Sequence, residues 1–149
     1  MLGPMEGLAV LDLFAGSGAM GFEALSRGAR IATFVESDPR VLGVLHDNAR
    51  ALGFTTAAEV LKSDYLEALA AFAACGRSFD LLFVDPPYRM LSQVMRALVP
   101  YLSSVLATDG VVVVEGPWGV SLDTVLDVVF ERRYGSTMVT MITKGRGHR

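Results

Sequence analysis

The chain has 149 residues, of which 52% are hydrophobic and 19% are charged, and its formal net charge at pH 7 is −3. This length and composition predict a single globular domain with a sizeable core, and they exclude a disordered, acidic solvating segment. The longest unbroken apolar run, residues 68–75, is far shorter than the ~20 residues that a membrane span requires, so we expect neither membrane association nor export.

Short apolar runs alternate with helical patterns along the chain. Such runs, rich in β-branched residues, are typical of strands buried on both faces of a parallel sheet. A weaker strand is predicted near 57–61. The stronger runs are Leu8–Leu13, Ile31–Val35, Leu81–Val84 and Val111–Val114.

Helical periodicity fills the segments between these runs. Asp38 and Pro39 provide an N-cap and a proline at the first helical position, and Gly53 is expected to end that helix. A second apolar stripe runs over 91–102, where Pro100 is expected to kink or divide the helix. Alternating strands and helices predict an open α/β sheet with right-handed crossovers.

The last third of the chain departs from this alternation. Two strand-like segments, Asp127–Arg132 and Thr137–Thr143, flank a short turn at Tyr134 and Gly135. This pattern predicts a hairpin. We therefore expect a parallel sheet that ends in an antiparallel hairpin.

A glycine-rich loop follows the first predicted strand. Residues 16–21 read Gly-Ser-Gly-Ala-Met-Gly, a G-x-G-x-x-G pattern that opens a helix and lets the backbone approach a ligand closely. Glu36 lies 20 residues beyond Gly16 at the end of the second strand, where a carboxylate can accept both hydroxyls of a ribose. The pattern favours a nucleoside cofactor over the alternative, a purely structural tight turn.

Two aspartates narrow the choice of cofactor. Asp12 interrupts the apolar strand before the loop, and a buried acid without a partner costs several kcal/mol, so its presence needs a use. The α-ammonium and sulfonium of S-adenosylmethionine would supply one; hydrogen bonds to loop amides are the alternative. Asp64 follows the third strand and could accept the adenine amino group, cap the helix over 66–74, or do both.

The segment Asp85-Pro86-Pro87-Tyr88 follows a buried strand and carries the most specific chemistry. Two prolines fix a rigid turn, which displays a carboxylate, free carbonyls and an aromatic ring. Asp85 and the Pro86 carbonyl can each accept one N–H of an exocyclic amine, while Tyr88 stacks on the base. Holding both N–H groups turns the nitrogen lone pair toward a methyl donor, and the carboxylate stabilises the positive charge that develops. A merely structural turn is the alternative.

These motifs resemble the class I S-adenosylmethionine-dependent methyltransferases that act on exocyclic amines. The sequence is most similar to the RsmD family, which methylates N2 of a guanine in bacterial small-subunit ribosomal RNA. The resemblance covers residues 8–143. The segments that carry it are 11–18, Glu23–Ala29, 85–88 and 133–135.

The resemblance implies a Rossmann-like α/β three-layer sandwich, with a seven-stranded, mostly parallel sheet whose last strand is antiparallel. It also implies S-adenosylmethionine as the cofactor and ribosomal RNA, within a small-subunit particle, as the partner. The catalytic residues would be Asp85, Pro86, Pro87 and Tyr88. The cofactor-binding residues would be Asp12, Phe14, Ala15, Gly16, Ser17, Gly18, Glu36, Ser37, Asp64, Tyr65 and Asp85. An adenine-N6 methyltransferase of DNA or RNA and a non-catalytic cofactor-binding fragment are the alternatives.

The distribution of charge bears on RNA binding. Residues 1–130 carry a net charge of −7 and residues 131–149 a net charge of +4. Family members usually begin with a basic segment, and this chain starts about where that segment would end, so we expect a catalytic core that lacks part of its RNA-binding surface.

The single cysteine favours a reducing cytoplasm. With one cysteine and two histidines, the sequence predicts no metal site, and we expect a monomer. Either RNA phosphates or solvent would face Arg132, Arg133, Lys144, Arg146 and Arg149.

Overall fold

A computed structural model describes residues 4–117 and 127–143 of the chain. Seven strands form one sheet in the spatial order β3-β2-β1-β4-β5-β7-β6. Strands β1 to β5 pair in parallel, and β7 runs antiparallel to both β5 and β6. The strands are β1 Ala9–Asp12, β2 Ile31–Glu36, β3 Ala58–Lys62, β4 Phe79–Val84, β5 Leu106–Pro117, β6 Asp127–Tyr134 and β7 Thr137–Thr143.

Five α-helices connect the parallel strands. Asp38 caps α2 by accepting the backbone N–H of Arg40 at 2.9 Å, with Pro39 at the first helical position. Pro100 lies in a 3-10 turn that divides the second apolar stripe into α4 and α5, as the sequence predicts. The helices are α1 Ala19–Ser26, α2 Pro39–Ala51, α3 Tyr65–Ala74, α4 Leu91–Leu98 and α5 Leu102–Val105.

The helices cover both faces of the sheet, so the domain has three layers. Side chains alternate along β4: Leu82 and Val84 pack with α3, α4 and α5, whereas Leu81 and Phe83 pack with α1 and α2. Each face therefore has its own apolar core, and a continuous apolar run such as β4 is what burial on both faces requires. Among the described helices, none has the length and hydrophobicity needed to cross a lipid bilayer.

The predicted fold class is confirmed, including the antiparallel end of the sheet. Strand β5 is longer than the predicted run 111–114, because it begins at Leu106, directly after α5, and extends to Pro117.

The topology also indicates at which edge of the sheet a ligand is expected to bind. Strand order reverses between β1 and β4, and open α/β sheets bind ligands at the carboxyl ends of the strands beside such a switch point.

The third glycine of the loop motif sets how closely α1 packs on the sheet. A Cβ on Gly21 would lie 2.3 Å from Cε1 of Phe34, a fully buried ring on β2. We expect Gly21→Ala to lower the free energy of unfolding by about 1–3 kcal/mol through overpacking. The matched control is Gly43→Ala on α2, where a Cβ meets nothing within 4 Å, and this variant should gain about 0.5–1 kcal/mol. Denaturant unfolding of both variants tests this, and equal effects would contradict it.

Candidate active site

The glycine loop lies between the end of β1 and the start of α1. Gly16 and Gly18 have φ values of 55° and 89°, in the left-handed region that favours glycine. Gly18 is the N-cap of α1, and its N–H donates to the Ala15 carbonyl at 2.8 Å. Asn48 of α2 donates through Nδ2 to the Ser17 carbonyl at 2.9 Å. The loop motif itself gives no sign of a contact from α2, so this anchor of the loop was not predicted.

Glu36 ties the glycine loop to the turn after β2. One carboxylate oxygen accepts the N–H of Gly16 at 3.0 Å, and the other accepts the N–H of Asp38 at 3.0 Å. A carboxylate has about four lone-pair positions, so each oxygen keeps one for a ligand. Glu36 therefore holds the loop in shape and still has acceptor positions for a ligand.

Asp12 is buried beneath the loop, with 2% of its surface exposed. Its Oδ2 accepts the backbone N–H of Gly21 in α1 at 3.2 Å. This contact is of the kind expected if Asp12 serves to hydrogen-bond backbone amides of the loop. Burial raises the pKa of Asp12 to about 7; the Gly21 hydrogen bond opposes this shift, and the charges of Asp85 and Glu36 add to it. A cation that binds close to the loop would therefore stabilise the ionised form of Asp12.

The third strand delivers a second group of side chains. Asp64 caps α3 through Oδ1, which accepts the N–H groups of Leu66 at 2.7 Å and Glu67 at 3.3 Å. The predicted cap is confirmed, and Asp64 also lines the adjoining cleft. The Tyr65 ring lies 5.1 Å from that of Phe14, and the buried Tyr65 hydroxyl has no hydrogen-bond partner among the described residues. Together these residues form an aromatic wall with an unused polar atom.

A cleft of about 760 Å³ at the carboxyl edge of the sheet brings most of the predicted site residues together. Three others lie behind it, since Asp12 and Ala15 are buried and Gly18 is the helix N-cap. Ser17 is exposed, and its carbonyl accepts the hydrogen bond from Asn48. It is not among the residues that line the cleft. The predicted residues that line the cleft are Phe14, Gly16, Glu36, Ser37, Asp64, Tyr65, Asp85, Pro86, Pro87 and Tyr88.

The Asp-Pro-Pro-Tyr turn forms one wall of this cleft. Pro86 is buried, whereas Asp85 and Tyr88 are exposed, and a 3-10 turn over Tyr88–Met90 follows the prolines. The Tyr88 hydroxyl lies 2.6 Å from Oγ1 of Thr137, the first residue of β7. This hydrogen bond fixes the aromatic ring between the turn and the terminal hairpin.

A second carboxyl group lies beside Asp85. The parallel register aligns Val84 of β4 with Val114 of β5, so the next residues, Asp85 and Glu115, are neighbours at the carboxyl ends of the two strands. Their side chains are hydrogen-bonded to each other. Burial raises the pKa of both; the hydrogen bond from Glu115 partly offsets the rise for Asp85, and the charge of Asp85 raises that of Glu115 further. Side by side, each carboxyl therefore ionises less readily than an isolated one.

The pair opens into a second cavity, of about 690 Å³, on the far side of the turn. Asp85 and Tyr88 line both spaces, so this turn is the wall between them. Apolar side chains from four neighbouring strands and from α1 line the second cavity, and Glu23 and Arg27 of α1 form an ion pair at 2.8 Å among its lining residues. The apolar lining includes Met20, Phe83, Val113, Val139 and Met141.

Neither this cavity nor Glu115 is predicted by the sequence, although a carboxylate at the end of an apolar strand run is a signal that could have pointed to Glu115.

Within residues 4–117 and 127–143 there is no group of three or more His, Cys, Asp or Glu side chains that could hold a metal ion. Arg132 and Arg133 are exposed on β6. The other predicted RNA contacts, Lys144, Arg146 and Arg149, lie outside the described residues.

Comparisons with known proteins agree with this geometry. The chain is 39% identical to Bacillus subtilis YlbH, whose name assigns it provisionally to the rRNA methyltransferases, over 97% of this chain and 80% of that protein. It is 44% identical to Escherichia coli K12 ribosomal RNA small subunit methyltransferase D over 79 residues, which are 53% of this chain and 38% of that one.

A solved structure, a conserved hypothetical protein of Streptococcus pyogenes, superposes with a TM-score of 0.85 at 30% identity, covering 97% of this chain and 89% of that one. Solved methyltransferases of lower identity, one of them complexed with S-adenosylhomocysteine, share the fold alone. The family described as "Conserved hypothetical protein 95" matches residues 2–143. The chain belongs to this family and is an RsmD-like methyltransferase.

Proposed function

We propose that this protein transfers a methyl group from S-adenosylmethionine to the exocyclic N2 amine of a guanine in small-subunit ribosomal RNA. One observation carries the proposal: the Asp85–Tyr88 turn separates a cleft whose groups suit a nucleoside from a mostly apolar cavity that is large enough to receive a base. A cofactor on one side and an acceptor base on the other would then meet at Asp85.

The residues of the cleft fit S-adenosylmethionine. Glu36 offers free lone pairs to the ribose hydroxyls, and Asp64 offers its second carboxylate oxygen to the adenine amino group. Phe14 and Tyr65 supply an apolar wall for the adenine, and the Tyr65 hydroxyl, which no residue of the described ranges contacts by a hydrogen bond, leaves a polar atom for a ligand to satisfy. The carboxylate of Asp12 would stabilise the cationic end of the cofactor. When bound, the cofactor supplies an electrophilic methyl group on its sulfonium.

The turn performs the remaining chemistry. The Asp85 carboxylate and the Pro86 carbonyl accept the two N–H groups of the guanine amine, which turns the nitrogen lone pair toward the cleft. Tyr88, fixed by Thr137, stacks on the base. As nitrogen becomes positive, Asp85 stabilises the charge and then accepts the proton. The chain needs no nucleophile of its own for this direct transfer.

The choice of RNA rests on the family. The relatives named above are an rRNA methyltransferase by provisional assignment and a small-subunit rRNA methyltransferase. Such a substrate implies cytoplasmic work on a ribosomal particle or its RNA. The second cavity, which would receive the base, is called the acceptor cavity from here on, and Tyr134 of β6 lines it. Arg132 and Arg133 precede Tyr134 on β6 and are exposed, with Arg132 over the Tyr134 ring and Arg133 donating to the Gly135 carbonyl. Their positive charges would attract RNA phosphates.

A transfer assay with cofactor labelled in the methyl group tests the proposal. Small-subunit particles and naked small-subunit RNA, both from cells that lack the modification, serve as acceptors, and large-subunit RNA serves as the control. We expect label in a small-subunit acceptor only. Binding of S-adenosylhomocysteine without transfer to any RNA would instead indicate a cofactor-binding fragment, and equal transfer to large-subunit RNA would refute the choice of substrate.

The affinity for S-adenosylmethionine is expected to depend on Asp12. Because burial raises the pKa of this acid to about 7, it must lose a proton below that pH before it can stabilise a bound cation. From about pH 7.5 to about pH 5.5, we expect affinity to fall about twentyfold to thirtyfold. Titration calorimetry of the wild type and Asp12→Asn measures this. The variant keeps an acceptor for Gly21 and should lose this dependence; equal pH profiles would contradict the role of Asp12.

A further inference from the structure

Glu115 lies next to the carboxylate that holds the acceptor amine. It occupies the position on β5 that adjoins Asp85 on β4, and neighbouring strands lie about 4.8 Å apart. Glu115 lines the acceptor cavity but not the cofactor cleft. The group it meets is therefore the part of the substrate beside the amine, and not the cofactor.

The surroundings of Glu115 leave its carboxyl group available to a base. Its position on β5 lies beside the apolar side chains of Phe83, Val113 and Val139 in the cavity lining. On α1, Glu23 and Arg27 form their own ion pair, and on the opposite wall the Tyr88 hydroxyl is bonded to Thr137. The hydrogen bond of Glu115 is to Asp85, and an entering amine would have to break that bond to reach Asp85.

The atom beside the exocyclic amine differs among the bases. In guanine the amine N2 adjoins N1–H, which is a second hydrogen-bond donor. In adenine the amine N6 adjoins N1, and in cytosine the amine N4 adjoins N3, and both of these ring nitrogens are acceptors. Two ionised carboxylates side by side therefore match the two adjacent donors of guanine, whereas they place a lone pair against a lone pair with the other two bases.

We propose that Glu115 is a specificity-determining residue that selects guanine by accepting its N1–H while Asp85 holds the N2 amine. This inference rests on the proposed function and names the side chain that distinguishes the base. The two base N–H groups favour the ionised form of both carboxyls, and a proton bound to either of them beforehand leaves to solvent. The second carboxylate also lies near the amine, where it adds to the stabilisation of positive charge.

The test compares two purines that share the N2 amine and differ at N1 and in the group on C6, and the Glu115 variant isolates the effect of N1. Once the accepting guanine is mapped, it is replaced in a ligated RNA by 2,6-diaminopurine, which keeps the N2 amine but has an acceptor at N1. We expect the wild type to prefer guanine about 100-fold in kcat/KM. Glu115→Gln presents either an amide oxygen or an amide NH2, so its preference should fall below about fivefold.

The affinity for S-adenosylhomocysteine shows whether each variant folds, and Glu115→Gln should match the wild type in it. Glu131→Gln, an exposed glutamate of β6, is the matched control and should keep the wild-type preference. An unchanged preference in Glu115→Gln, or a wild type that does not discriminate, overturns this inference alone. A wild type that methylates no guanine in any RNA overturns the proposed function as well, and that result comes before any analogue is made.

Discussion

Replacing Asp85 by alanine is expected to lower kcat for methyl transfer about a thousandfold, because the change removes both the group that orients the amine and the charge that stabilises the transition state. S-adenosylhomocysteine lacks the sulfonium charge, so its affinity should stay within about threefold of the wild type. Single-turnover transfer to small-subunit RNA and calorimetry measure the two effects separately.

Asp80→Asn is the control for this variant. Asp80 lies on the same strand at its opposite end, where Oδ2 accepts the N–H of Ala9 at 2.8 Å. It lines neither the cofactor cleft nor the acceptor cavity, so its loss should affect stability alone. Transfer by Asp85→Ala at the wild-type rate would refute the role of this carboxylate.

Glu36→Gln is expected to weaken the affinity for S-adenosylhomocysteine about 100-fold, without unfolding the domain. The two oxygens of Glu36 accept N–H groups from Gly16 and Asp38, so an amide NH2 in either place would face a donor. One loop hydrogen bond is lost, and the remaining acceptors for the ribose lose their negative charge. Calorimetry at a fixed pH gives the affinity.

Glu59→Gln is the matched variant for Glu36. Glu59 also accepts two hydrogen bonds, from Thr33 at 2.8 Å and from Arg77 at 2.5 Å, but it lies on β3 outside the cleft lining. We expect this variant to lose stability by about 1–3 kcal/mol while cofactor affinity stays unchanged. If Glu36→Gln bound S-adenosylhomocysteine within threefold of the wild type, the proposed grip on the ribose would be wrong.

Much of the site could be predicted because its parts are local in sequence. The glycine loop, Glu36 and the Asp-Pro-Pro-Tyr turn each follow directly from a strand whose apolar run is legible. Parallel strands carry their carboxyl ends to one edge, and this general rule is enough to bring the segments together. The cap at Asp64 and the division of a helix at Pro100 are likewise local effects.

The parts that could not be predicted depend on contacts across the sheet. Glu115 is beside Asp85 only because β4 and β5 pair in the observed register, and a single-residue slip would turn it to the other face. The bond between Tyr88 and Thr137 spans 49 residues, and the anchor from Asn48 to the glycine loop spans 31. No local pattern encodes such pairs. The acceptor cavity, which Tyr88, Glu115 and Thr137 help to line, forms only once the strands are assembled.

The identity of the methylated nucleoside tests the central claim most directly. Small-subunit particles or RNA lacking the modification are incubated with the protein and S-adenosylmethionine, digested to nucleosides and analysed by mass spectrometry. The two carboxyls and the turn predict N2-methylguanosine as the product, at one position, and its absence when Asp85→Ala replaces the wild type. N6-methyladenosine as the product, or no methylated nucleoside from a protein that binds the cofactor, would contradict the claim.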